Sequence, residues 1–203
     1  MQTKTVVTDE QYRSLQRPVV LPTPAELFDF EVETLKDKGL LTYDQADPFR
    51  KALPAGLFLL IPPKPDPYDL AHLMGLVVVN GKAGRSYLDP ANLADEIEMP
   101  NLPYLLCDIE DGNSRRNIRP SENRQAILGE GRSPYVVWEG IVHTIVFPQV
   151  LLHHNLDLVG SRDRSKYWPY LSLSRDQPEL HANWRDDADP RWGAPSLGRR
   201  LVP

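Results

Sequence analysis

Two patterns of apolar residues alternate along the chain. The first has helical spacing. Leu27, Phe28, Val32 and Leu35 fall on one stripe behind Thr23-Pro24-Ala25-Glu26, a capping box with proline at the first helical position. Gly39, after Lys36 and Lys38, marks the end of that helix. Thr42-Tyr43-Asp44-Gln45 repeats the capping logic, and Pro48 limits or restarts the second helix. Val137, Trp138, Ile141 and Ile145 recur at the same spacing between Tyr135 and Phe147, ahead of a break at Pro148. The second pattern is the short unbroken apolar run. Leu57–Ile61, Leu76–Val79 and Tyr104–Ile109 predict buried strands, and Leu156–Val159, Tyr167–Ser174 and Glu179–Trp184 predict an antiparallel meander.

Turn and cap residues supply the punctuation. Tyr68–Met74 predicts a short helix, and Asn80-Gly81 a tight turn across which Tyr87-Leu88 pairs back. Asp89-Pro90 caps a short helix holding Leu93 and Ile97, and Ser121 caps another that runs to about Leu128 and stops at Gly129 and Gly131. The reading is an α+β fold: a mixed, mainly antiparallel sheet packed against helices near 121–153, with an N-terminal helical pair. Residues 1–22 read as a polar arm, 23–55 as the αα unit, and 56–203 as an α+β domain forming one body with that unit. The last 19 residues, rich in proline, glycine and arginine, are expected to wrap the surface.

Composition narrows the function classes. Apolar residues at 41% and charged residues at 25% of 203 suit a folded soluble domain, and 20 prolines without a repeat read as turn punctuation. A net charge of −5 argues against nucleic acid or an anionic membrane as partner. One cysteine, Cys107, excludes a disulfide framework within the chain and points to a reducing compartment. The first residues lack the apolar core of a secretion signal, and no apolar run approaches bilayer length. A cytoplasmic location is expected.

From Tyr104 on, the shared residues of a family stand in order: Tyr104-Leu-Leu-Cys-Asp108, Gly112, Asn117-Ile-Arg-Pro120, Gly131-Arg-Ser-Pro134 and Glu139-Gly-Ile141. Asn155, Gly160-Ser-Arg162, Pro169, Trp184, Pro190 and Trp192-Gly193 continue the series. On these residues, over about 104–193, the chain resembles an uncharacterised bacterial family, best represented in actinobacteria and known as a domain of unknown function. It departs at Ser172, Ala182 and Arg191, where the family is more aromatic. The resemblance implies no activity.

Three function classes follow from the residues. The first is a binding or interaction module, open to self-association, whose partner is a small anionic ligand or a protein; no complete catalytic motif competes with it. The second is a small-molecule enzyme or ligand-binding protein with an arginine-lined cleft. There Arg119 and Arg162, helped by Asn117 and Ser161, grip an anion bidentately, and Asp108, Glu139 or His143 supplies acid–base chemistry. The third is a metal-dependent hydrolase, with Glu139 and His143 four apart on one helix face and His153 beyond Pro148. No cofactor is specified. The second class requires the turns near 110–120, 139 and 160 to meet.

Overall fold

The structure, a computed structural model, describes residues 22–164, 167–184 and 187–203; the polar arm expected at the N-terminus lies, apart from Pro22, outside the described residues. Helix α1 (Pro24–Asp37) begins as its capping box dictates. The Thr23 hydroxyl accepts from the Glu26 N–H at 3.2 Å, and the Glu26 carboxylate accepts from the Thr23 N–H at 2.8 Å. Its inner face buries Phe28, Val32 and Leu35, and also a carboxylate, Glu31. Helix α2 (Tyr43–Ala46), capped by Thr42, passes into a 3-10 turn (Asp47–Lys51) where Pro48 stands.

Strand β1 (Phe58–Ile61) is buried throughout, and α3 (Leu70–Gly75) starts at the Asp69 cap. The Asn80-Gly81 turn joins β2 (Val78–Val79) to β3 (Lys82–Ala83), both turn residues having positive φ (49° and 78°) as such hairpins require. Tyr87 does not close this hairpin. After β4 (Arg85–Ser86) its N–H donates to the Leu180 carbonyl, because β4 runs parallel to a distant strand. Asp89 does cap a turn, but only a 3-10 turn (Pro90–Asn92), and Leu93 opens β5 (Leu93–Asp95) in place of the expected helix.

Strand β6 (Tyr104–Cys107) is followed by α4 (Pro120–Gly129), whose N-cap is Arg119; Ser121 sits inside the first turn. Proline at the first helical position holds Arg119 extended (ψ 137°), which moves the start one residue ahead of the serine. Then come β7 (Ser133–Pro134), α5 (Val137–Val146), α6 (Val150–His153), β8 (Asn155–Asp157) and β9 (Ser161–Asp163). The chain ends with β10 (Tyr167–Ser174), β11 (Gln177–Trp184), β12 (Trp192–Gly193), β13 (Ser196–Leu197) and β14 (Arg199–Leu201).

Two sheets enclose one helix. The first has the order β1-β6-β14, all antiparallel, and the second runs β12-β8-β10-β11-β4, with β9 also on β10 and β5 on β9. Pairing in the second sheet is antiparallel except where β12 meets β8 and β4 meets β11. All ten residues of α5 are buried, against α1, β1 and β10. The face opposite the Val, Trp and Ile stripe is buried as well, with Glu139, His143 and Thr144, which puts the helix at the centre. Trp138 on α5 donates its indole N–H to the Pro62 carbonyl at 2.9 Å, so the largest buried side chain leaves no polar atom unpaired.

The C-terminal segment corrects the sequence reading. It enters the core instead of wrapping it: Ala194, Ser196 and Leu197 are fully buried, β14 completes the first sheet, and β13 pairs with β7. Gly193 shows how closely it packs. A Cβ there would lie 2.1 Å from the Gly112 carbonyl oxygen, and backbone cannot rotate away as a side chain does. Gly193→Ala is expected to cost about 1–3 kcal/mol of stability, read as a lowered urea midpoint with unchanged slope.

Candidate binding groove

Glu139 has no solvent exposure. Its Oε1 accepts from Arg200 Nε at 2.7 Å and from the Tyr104 hydroxyl at 3.0 Å; its Oε2 accepts from Arg200 Nη2 at 2.9 Å and from the Val136 N–H at 3.1 Å. The remaining Arg200 nitrogen, Nη1, donates to Ser133 Oγ at 2.7 Å. Burial by itself would lower the Arg200 pKa, but the adjoining carboxylate outweighs it and the net shift is upward. Burial first, and then Glu139, pushes the Tyr104 phenol well up. Every lone pair of Glu139 is spent inside the fold. Its partner Arg200 comes from the tail, which is why the i,i+4 spacing to His143 gave no hint of it.

His143, one turn along α5, does not share that fate. His153 is exposed at the end of α6, and among the described residues no group of three or more His, Cys, Asp or Glu is placed to hold a metal ion. The triad of Glu139, His143 and His153 is therefore not assembled, because Glu139 faces Arg200.

The residues expected to make an arginine cleft each engage other partners. Ser161 Oγ is buried, accepting from the Val137 N–H at 2.8 Å and donating to Asp95 Oδ1 at 2.5 Å, which ties the start of α5 to β9 and β5. Arg162 pairs with Glu96 at 2.7 Å and lies 4.7 Å from the Trp168 ring centre; Arg124 pairs with the same carboxylate and covers the same ring. Arg119 is exposed and faces Glu122 at 3.5 Å. Asn117, in the left-handed region (φ 60°), donates its N–H to the Asp189 carbonyl. Asp108 (φ 57°) is exposed and held at 2.7 Å by Arg132. With Cys107 and Arg199 it lines a cavity of about 630 Å³.

That cavity shares Ala55, Gly56, Leu57 and Ile109 with a larger groove of about 830 Å³. One wall of the groove is the lead-in to β1 and its first residues, Ala55–Leu59; the opposite walls are Pro24 and Leu27 of α1, and Phe147 and Val150 at the α5–α6 junction. Glu110, Asp111, His143 and His153 give it a polar end. His143 is 8% exposed, and its Nδ1 has no hydrogen-bond partner among the described residues. Burial pushes its pKa down to about 4, against the pull of Asp111, so the ring is neutral at pH 7. Tyr135 and Phe147 pack around it with ring centres 5.8 and 6.0 Å away. Glu110 is engaged by Arg115 at 3.2 Å and by Ser114 and Ser196. The Asp111 carboxylate accepts the Asn113 N–H at 2.8 Å, and the Asp111 carbonyl bonds His154 Nε2 at 3.0 Å.

Of the sequence candidates, the groove thus retains His143 and His153. The apolar wall was missed as a site because each of its residues reads as ordinary core. The visible trace was the i,i+4 pair His143 and Phe147 just before Pro148, which puts a histidine where a helix stops.

Comparison with known families decides the relationship. The family model described as "Family of unknown function (DUF5701)" matches residues 23–179. The chain belongs to this family. The match starts well before Tyr104, so α1 and β1, which wall the groove, lie within the matched residues. No curated protein matches the chain, and no solved structure matches it. Among the described residues no helix is long and apolar enough to cross a membrane.

Proposed function

We propose that the protein is a cytosolic, non-catalytic binding module whose ligand lies in the groove between α1, the lead-in to β1, and the α5–α6 junction. The observation that carries this reading is an apolar groove of about 830 Å³ with one buried polar atom, His143 Nδ1, left unpaired in its wall. Ligand sites have this size and this character, apolar walls with a few fixed polar groups. An unpaired buried nitrogen costs roughly 1–3 kcal/mol unless something bonds it. The buried thiol of Cys107 is in keeping with a reducing compartment.

A screen of small apolar fragments, each with one hydrogen-bonding group, tests this by amide chemical-shift mapping. Shifts are expected to cluster at residues 55–59, 109–111 and 143–153, and Leu27→Glu, a half-buried groove position, is expected to abolish them while the fold persists. Fragments that bind elsewhere, or shifts that survive Leu27→Glu, would overturn the reading.

A further inference from the structure

We propose that the protein holds the phosphate group of a small phosphate monoester in a cavity between two hairpin tips, with Arg175, Lys82 and Arg85 as the cationic contacts. This site shares no lining residue with the groove and is tested independently of it.

The hairpins make the cavity. Strands β10 and β11 pair in register as far as Ser174 and Gln177, which leaves Arg175 and Asp176 as a two-residue turn. Both have positive φ, 50° and 66°, the conformation that a tight hairpin demands. Asn80-Gly81 meets the same demand between β2 and β3 with residues that suit it. Arginine does not suit it, because its Cβ crowds the backbone in the left-handed region where glycine is free. The guanidinium is therefore carried at a position that local backbone preference would give to another residue. Two bonds join the tips. Lys82 Nζ donates to the Arg175 carbonyl at 2.7 Å, and Gln177 Nε2 donates to the Ala83 carbonyl at 3.0 Å.

Between the tips lies a cavity of about 470 Å³, a volume in the range of small-molecule sites. Lys82, Arg85, Ser174, Arg175 and Gln177 line it: three cations, two neutral hydrogen-bonding residues and, among the described residues, no carboxylate. All except Gln177 are exposed, so a solute reaches them. Two acids stand close by. Asp176 lies 3.9 Å from Lys82 Nζ and accepts from Asn80 Nδ2 at 3.5 Å; Glu179 accepts from Arg85 Nη2 at 2.6 Å and from its Nε at 3.2 Å. Neither reaches Arg175, whose guanidinium has no hydrogen bond or ion pair among the described residues. Its planar fork matches two oxygens of a phosphate, and the Lys82 ammonium, fixed by the Arg175 carbonyl, adds a point charge beside it. The net charge of −5 on the whole chain disfavours an extended polyanion, which leaves a compact anion as the ligand that fits.

The test is an amide chemical-shift titration of the full chain with methyl phosphate at constant ionic strength. Shifts are expected to cluster at residues 82–85 and 174–177. Arg175→Gly relieves the turn, so its urea midpoint is expected to equal or exceed that of the native chain, while methyl phosphate binds about tenfold more weakly. Arg175→Asn, whose side chain also tolerates this backbone, is expected to show the same loss. Acetate, singly charged and one oxygen short, is expected to bind the native chain about tenfold more weakly than methyl phosphate. No binding of methyl phosphate, shifts centred elsewhere, or undiminished binding by both Arg175 variants overturns the proposal. Acetate binding as tightly as methyl phosphate overturns it too, since the cavity would then hold any anion.

Discussion

Replacing Arg200 with alanine is expected to lower the unfolding free energy by about 3–5 kcal/mol, the largest effect of any single truncation proposed for this chain. The reason lies in what remains behind. Glu139 has no solvent exposure and receives two of its four hydrogen bonds from Arg200, so the truncated protein holds a buried carboxylate with half its bonds and no counter-charge. Ser133 loses its partner as well, which loosens β7. Arg200→Lys keeps the charge but cannot make the two-pronged contact, and is expected to lose less. The double substitution Glu139→Gln with Arg200→Met is expected to recover most of the loss, since removing both charges avoids the penalty of burying one alone. Urea unfolding of the native chain, Glu139→Gln, Arg200→Met and the double substitution, analysed as a double-mutant cycle, measures the coupling. A loss below about 1 kcal/mol for Arg200→Ala, the range of exposed pairs, would show that the pair is solvated.

The second large effect is a pH dependence partly offset by an opposing group. Asp157 on β8 is 2% exposed, its Oδ2 has no partner among the described residues, and burial, with a smaller push from Asp189, raises its pKa to about 7. A raised carboxyl contributes stability that is complete below its ordinary value of 3.8 and is lost as pH rises through about 7. That is roughly 4 kcal/mol across the window, at about 1.4 kcal/mol per unit. Glu31, pushed well up by burial against the pull of the Leu60 N–H, acts with the same sign. His143 acts oppositely. Its pKa is depressed from 6.5 to about 4, so its contribution is present above 6.5 and disappears as pH falls through about 4, roughly 3 kcal/mol. With two carboxyls opposing one histidine, the native chain is expected to lose stability as pH rises from 4 to 7, less steeply than the carboxyls alone would make it. Single substitutions uncouple the two. His143→Phe is expected to give a protein that gains more stability on acidification over this range than the native chain does, and Asp157→Asn is expected to shift the balance the other way. Guanidinium unfolding at pH 4, 5.5 and 7 reads both slopes. Two parallel curves would refute the assignment of opposite signs.

Local chemistry was legible in the amino-acid order wherever it acts within a few residues. Thr23 and Thr42 start helices because each faces a Glu or Gln three positions later, and Asn80-Gly81 turns because both residues accept positive φ. The spacing of Val137, Trp138, Ile141 and Ile145 already predicted a helix there, and the α+β class followed from the alternation of the two hydrophobic periods. Where two distant segments must meet, periodicity carries no information. Tyr87 pairs with Leu180 across 93 positions, Arg200 finds Glu139 across 61, and a proline- and arginine-rich tail that resembles surface wrapping becomes core strands because β6 has a free edge to fill. The candidate site divides in the same way. That His143 and Glu139 share a helix face was readable from their spacing; that one is sealed by an arginine from the tail while the other opens on a groove was decided only by packing. Cap and turn bonds close within one turn of chain, whereas a groove exists only between elements whose mutual placement is set by the burial of all the others.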